Sequence, residues 1–328
     1  MSKSASGACV LAASVIGSCA VARGALYRTI TGETGGTTQA TVNPDGSLSE
    51  SAVNYAAIFK PTTPPPSYVH LPWVDTTRSY NGHNSIGFQI DPTPAPAIHE
   101  TDKAQLRVSH AGDSSDLEFG NKRYLGFAID IPSATFQPPT QGAVQVAQWW
   151  QGSPYTPPLS VTITGGTPSA AKYEVRVYNN ATLGNPSSVP LVLGTGTIPL
   201  DTWTPFVVMS IMDYSGQGQV KLWQDGTQLI GWTGAVGYDP TTIPYNNPPA
   251  GTANPNAAFD VFIGPYREQQ STRQQFFYDE VRWADTFAQA TPVPAPEPGA
   301  AALCAIGGAS ALLRRTRRTL SSTTRNTG

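Results

Sequence analysis

Between residues 20 and 303 the chain contains no cysteine; its three, Cys9, Cys19 and Cys304, lie near the ends. The interior therefore has no disulfide framework and no thiolate metal site. Export is still open to it, because a chain of 328 residues can bury a sufficient core without cross-links. Histidine is scarce too. His70, His83, His99 and His110 follow no metal-ligand spacing, which argues against a dedicated zinc enzyme. Charged residues make up only 13% of the chain, and a net charge of −2 supplies no basic field for nucleic acid or an anionic membrane. The interior also lacks any helical apolar repeat long enough to cover a sheet, and any repeat of fixed period.

Glycine and proline are abundant, with 31 and 30 residues, and Thr, Val and Tyr accompany them. That balance favours short strands joined by turns. Tyr124 to Ile131 and Ala143 to Trp149 are β-rich runs bounded by Pro or Gly. Leu159, Val161 and Ile163 alternate with polar residues, as do Tyr173, Val175 and Val177, the pattern of half-buried strands. Phe206 to Met212 is apolar almost throughout, which predicts a central strand covered on both faces. Val220 to Gln224 and Thr227 to Ile230 flank Asp225-Gly226, a dipeptide suited to the two positive-φ positions of a type I′ hairpin. Phe259 to Ile263 and Gln275 to Trp283 supply the last strands. Many short strands with almost no helix predict an all-β protein, and a jelly-roll sandwich of two antiparallel sheets fits best.

Both ends read as addresses. Lys3, the apolar stretch Ala8 to Ile16 and the A-x-A site Ala20-Val21-Ala22 form a secretory signal peptide over residues 1–22. Two alternatives stand beside this: a buried N-terminal helix, and lipidation at Cys19, since Ile16-Gly17-Ser18-Cys19 resembles a lipobox. At the other end, residues 291–299 form a Pro-rich spacer that includes PVPAPEP. Residues 300–318 follow as a small-residue apolar run, Ala300 to Leu313, closed by Arg314, Arg315, Arg317 and Arg318, before a polar tail over 319–328. The run is shorter than the roughly 20 residues of a full membrane span. Spacer, apolar run and arginine stop resemble the PEP-CTERM sorting signal of bacteria. That resemblance implies a transient anchor removed by a sorting protease, and a secreted or cell-surface destination.

Three segments inside residues 23–290 carry a second resemblance. Val144 to Ile163 reads VQVAQWWQGSPYTPPLSVTI, Trp203 to Gly226 reads WTPFVVMSIMDYSGQGQVKLWQDG, and Phe259 to Trp283 reads FDVFIGPYREQQSTRQQFFYDEVRW. Together they resemble the jelly-roll polysaccharide lyases of the heparin-, glucuronan- and alginate-lyase-like group, with a concanavalin-like sandwich. That group carries a Q-x-H strand, a hairpin ending W-x-D-G, and a K-x-G-x-Y-R strand followed by a Y-x-D strand. An R-x-E-L strand would fall at Lys103 to Leu106. The resemblance implies β-elimination on a uronate. Such a reaction needs a group to neutralise the carboxylate, a base for the C5 proton and an acid for the leaving O4.

Carried over by position, the resemblance makes Tyr266 the base and acid, with Gln148, Lys103 and Arg267 around it. Trp150, Arg107, Tyr155 and Gln105 become substrate-binding candidates. Period-two alternation groups Lys103, Gln105 and Arg107 on one face, Gln148 and Trp150 on another, and Phe262, Gly264 and Tyr266 on a third. The departures fall at the chemistry: Trp150 stands where the family has histidine, Phe262 where it has lysine, and Lys103 and Gln105 where it has arginine and glutamate. Each candidate also has a plainer alternative. Tyr266 can be a half-buried strand aromatic and Lys103 a solvated strand lysine. Alternation sends one of Trp149 and Trp150 into the core and leaves the other as a sugar-stacking platform. Asp279 and Glu280 suit a turn or strand edge better than calcium. Three functions follow: an exported lyase, a non-catalytic glycan-binding sandwich, or a structural surface protein. The expected partners are an acidic polysaccharide and the sorting protease, with membrane contact only through the transient anchor. No cofactor is expected, a structural calcium ion being the one option left open.

Overall fold

The computed structural model describes residues 25–30, 41–42, 48–50, 53–55, 69–82, 84–93, 101–109, 117–151, 156–179, 189–241 and 258–294. The expected signal peptide, the apolar C-terminal run with its arginines, and Tyr155 lie outside them. Strands are numbered in chain order.

Two sheets of eight strands each make up the fold. The larger, by the summed length of its strands, runs in the order β17 (Thr227–Val236), β16 (Asp213–Gln224), β15 (Thr204–Ile211), β10 (Lys122–Asp130), β19 (Gln274–Ala284), β6 (Ser85–Ile90), β5 (Val69–Asp75). β1 (Leu26–Ile30) also pairs with β19. The smaller sheet runs β14 (Leu191–Pro199), β13 (Ala170–Val177), β12 (Leu159–Thr167), β11 (Val144–Trp150), β18 (Ala258–Glu268). The far flank of β18 pairs in turn with β7 (Thr101–Lys103), β8 (Leu106–Ser109) and β9 (Leu117–Glu118). Short strands β2 (Thr41–Val42), β3 (Leu48–Glu50) and β4 (Val53–Tyr55) form a separate small sheet. After β10 the chain crosses to the smaller sheet for β11–β14, returns for β15–β17, crosses for β18 and returns for β19. All these strand pairs are antiparallel, so the fold is a two-sheet jelly-roll sandwich.

The core follows from alternation. Leu159, Val161 and Ile163 of β12, Tyr173 and Val175 of β13, and Phe127 and Ile129 of β10 all turn inward and are fully buried. β15 is covered on both faces, as its apolar run predicts. Phe206 and Val208 enter the core, while Val207 meets Ala284 and Ala290 in a satellite cluster with Tyr124, Trp223 and Phe287. The lid of that cluster is α1 (Phe287–Ala290), N-capped by Thr286. The Asp225-Gly226 hairpin is present, with φ of +50° and +73°. Sequence periodicity did not single out β14 or the strands before Tyr124. β14 is exposed or half-exposed over its first seven residues, and β7 to β9 are too short to show a period. Among the described residues no helix is long and apolar enough to cross a membrane.

Candidate functional site

β18 is the axis of the site. Phe259, Val261 and Ile263 are fully buried in the core, so alternation turns Asp260, Phe262 and Tyr266 to the outer face of the smaller sheet. On β11 the core takes Trp149, which leaves Gln148 and Trp150 outward. The register sets Gln145 opposite Tyr266, Gln148 opposite Phe262 and Trp150 opposite Asp260. On the other flank Lys103 lies opposite Tyr266, and Arg107 opposite Phe262. β18 carries a bulge at Gly264-Pro265, where two residues face the single Val146 of β11. Gly264 has φ of +101°, and a Cβ there would lie 2.4 Å from the Ala104 carbonyl oxygen. Only glycine meets both demands.

The outcome is two parallel rows, each a cation, an aromatic ring and a glutamine. In the first, Lys103 Nζ stands 6.0 Å from the Tyr266 ring centroid, with Gln145 on the opposite flank. In the second, Arg107 Cζ stands 5.7 Å from the Phe262 ring, with Gln148 opposite. Arg107 Nη2 also approaches Asp260 at 3.8 Å. Gln148 Nε2 donates to Gln105 Oε1 at 3.0 Å, and Gln105 Nε2 donates to the Gly264 carbonyl at 3.4 Å. The polar surface continues across the sheet. Ser160 lies opposite Gln148 and shares a 3.0 Å hydrogen bond with Thr162. Beyond them the Glu174–Arg176 pair closes at 2.9 Å. Ser160, Thr162, Gln105 and Gln148 are all buried although they point away from the core. Gln148 Oε1 and Gln145 Oε1 are shut off from solvent and have no hydrogen-bond partner among the described residues.

Six candidates therefore share one face: Lys103, Gln105, Arg107, Gln148, Trp150 and Tyr266. Arg267 does not join them. It is 1% exposed on the opposite side of β18, where its guanidinium donates to the carbonyls of Thr272 and Asp91, the latter at 2.8 Å. Adjacent strand residues point to opposite faces, so Tyr266 and Arg267 cannot both face outward from one strand. Trp150 is the outward member of its pair and Trp149 the core member. Sequence reasoning missed Gln145, Asp260, Ser160, Thr162, Glu174 and Arg176. Alternation from Gln148 marks the parity of some of these, but only cross-strand register puts them beside the tyrosine.

Asp279 and Glu280 lie on the other sheet. Asp279 is fully buried and accepts the backbone N–H groups of Tyr80, Asn81 and Glu280 at 2.7–2.8 Å. Burial pushes its carboxyl up to about 7, against those donors. Glu280 accepts from Asn81 and pairs with Arg282. A pocket of about 340 Å³ opens on this far side, lined in part by Tyr80, Trp223, Asp225, Phe287 and Pro292. It is a seam beside α1 and shares no residue with the two rows. Among the described residues no cluster of three or more His, Cys, Asp or Glu could hold a metal ion.

Comparison with known proteins supplies a family. The polysaccharide lyase family model matches residues 72–282, so the chain belongs to that family. No curated protein matches. Three solved structures are similar. The endo-β-1,4-glucuronan lyase of the fungus Trichoderma reesei is 17% identical, over 70% of this chain and 94% of that one, with a TM-score of 0.47. The alginate lyase Aly36B, a mutant in complex with alginate trisaccharide, is 11% identical over 66% and 88%, with a TM-score of 0.43. An alginate lyase of Pseudomonas aeruginosa is 13% identical over 62% and 83%, with a TM-score of 0.39.

Proposed function

We propose that this member of the polysaccharide lyase family cleaves a uronic-acid-containing polysaccharide by β-elimination on the outer face of the smaller sheet, outside the cell that makes it. The observation that carries this reading is the pairing of Lys103 with Tyr266 across two strands. The uronate carboxylate docks on the Lys103 ammonium, which stabilises the charge that develops when C5 loses its proton. The Tyr266 phenolic oxygen takes that proton. The C4–O4 bond breaks, the proton passes to O4, and a C4–C5 double bond remains. Gln105, Arg107, Gln148 and Trp150 flank the reacting sugar and position the polymer. Arg267 supports the strand from behind and takes no part. The extracellular setting rests on the signal peptide and on the PEP-CTERM-like tail, whose sorting protease is the second expected partner.

The test is incubation with a panel of glucuronan, alginate and a glycosaminoglycan, following the ultraviolet absorbance of unsaturated ends. Tyr266→Phe keeps the ring and its packing, so stability should hold. Turnover of the best substrate should fall by about two orders of magnitude or more, the scale of lost acid–base help. Equal rates before and after that substitution would remove tyrosine from the mechanism.

One observation favours a second reading. Trp150 cannot transfer a proton, and Phe262 lies beneath Arg107 where the family has a lysine. A sandwich that keeps the fold and binds glycan without cutting it would show no unsaturated product. It would lose affinity on Trp150→Ala.

A further inference from the structure

The charges on the outer face of the smaller sheet cancel. Its strands turn four cations outward, Lys103, Arg107, Lys172 and Arg176, and four acids, Glu118, Glu174, Asp260 and Glu268. Arg107 approaches Asp260 at 3.8 Å, and Arg176 pairs with Glu174 at 2.9 Å. The body of the chain adds no positive field. Of the 20 Lys and Arg in the sequence, six fall in residues 1–22 and 291–328, against one of the 22 Asp and Glu. Residues 23–290 therefore carry a net charge of −7. Within that range the segments outside the described residues hold two bases, Arg23 and Lys60, and five acids. Register then gives the order of charges met by a polymer lying across the strands. The row of Lys103 and Tyr266 continues through Gln145, Thr162 and Glu174 to Thr195 of β14. Past the tyrosine that row holds an amide, a hydroxyl and then an acid, with no second cation. Glu268, two residues along β18 from Tyr266, borders the row with a further carboxylate. In the neighbouring row, Arg107 and Arg176 both face acids.

We infer that the substrate is a heteropolysaccharide in which neutral sugars separate the uronates, a conclusion that rests on the reading of this face as a site of uronate β-elimination. A homopolyuronan puts a carboxylate on every sugar. One of them meets Lys103. The next ones enter a surface with no excess of positive charge, between Glu174 on one side and Glu268 on the other, where like charges repel. A neutral sugar in those places meets no such opposition. Asp260 and Glu268 are thus specificity-determining residues. Asp260 offsets the cation nearest to Lys103 along the strand direction, and Glu268 sets a carboxylate beside the reacting row.

The experiment follows unsaturated ends released by the full chain from glucuronan and alginate, each intact and partly carboxyl-reduced. Reduction turns some uronates into neutral hexoses and leaves the linkages as they were, so charge density alone changes. Expressed per remaining uronate, kcat/KM should be about tenfold higher on the reduced polymers at low ionic strength, the scale of two like charges met near the surface. Added salt should narrow that gap by screening. Asp260→Asn combined with Glu268→Gln removes two acids at nearly constant shape, and the ratio should shrink to about threefold or less. If the double variant fails to fold, Glu268→Gln combined with Glu118→Gln, at positions that solvent reaches, makes the same comparison. Acids with a merely structural role would lower both rates together, and a ratio unchanged by the substitutions overturns the inference. Intact polymers cut as fast per uronate as reduced ones by the parent overturn the inference alone. Unsaturated ends from no uronan, intact or reduced, overturn the functional reading beneath it.

Discussion

Tyr266 and Arg267 are neighbours in sequence with opposite tasks, and the difference can be measured. Arg267 donates to two carbonyls, those of Thr272 and Asp91, from a position 1% exposed. Arg267→Met fills similar space and strands both acceptors, so unfolding free energy should fall by roughly 3 kcal/mol in urea titration. Unchanged stability would mean that the guanidinium is not the clamp it resembles. Gly264 is the matching backbone case. Gly264→Ala would force a side chain into φ of +101° and against the Ala104 carbonyl. A loss of roughly 2 kcal/mol in stability is expected, with a larger proportional loss of turnover, because Tyr266 stands directly beyond the bulge. Thermal melts and unsaturated-product assays on the same preparation separate the two effects.

Strand β19 couples the larger sheet to the turn at Tyr80-Asn81 through a buried acid. The Asp279 carboxyl is raised to about 7 from an ordinary value near 3.8, chiefly by burial. The folded state therefore holds this proton more tightly than the unfolded chain. Its stabilising effect is full below about pH 4 and is lost as pH rises through about 7. Asp130 on the adjoining β10 is also raised by burial, with Arg78 opposing, so the native slope contains both. Asp279→Asn keeps one acceptor and removes the titration. The unfolding midpoint of the native protein should decline across that window, and the variant's decline should be shallower. Parallel curves would show that the three N–H donors, not burial, govern Asp279. At this scale the strands from Tyr124 onward, β14 apart, were readable from regular alternation or, for β15, from a continuous apolar run. β7 and β8 were not, since three- and four-residue strands carry no measurable period and gain their place only by pairing with β18.

For the whole molecule, a sandwich that needs no disulfide suits a chain whose cysteines all sit near its ends. If those ends are addresses, material recovered from outside the cell should begin near Arg23 and finish before Ala300. Intact-mass measurement checks both positions, and full-length termini on exported protein would remove the sorting reading. The two sheets also divide the labour. The smaller one carries the polar rows on its outer face. The larger one presents to the opposite side a satellite apolar cluster closed by α1, with Gly126 admitting the Ala290 carbonyl where no Cβ would fit.

The sequence alone determined the all-β class, the hairpin at Asp225-Gly226 and the parity that turns Gln148, Trp150, Lys103 and Tyr266 outward. These are local consequences of a two-residue period and of turn chemistry. It also carried enough motif to identify the family. Which outward residues meet was decided only by tertiary structure, because cross-strand register is a contact between segments far apart in the chain. Lys103 reaches Tyr266 across 163 positions, and Gln105 reaches Gln148 across 43. The same register brought in Gln145 and Asp260, whereas the exclusion of Arg267 follows from strand alternation alone.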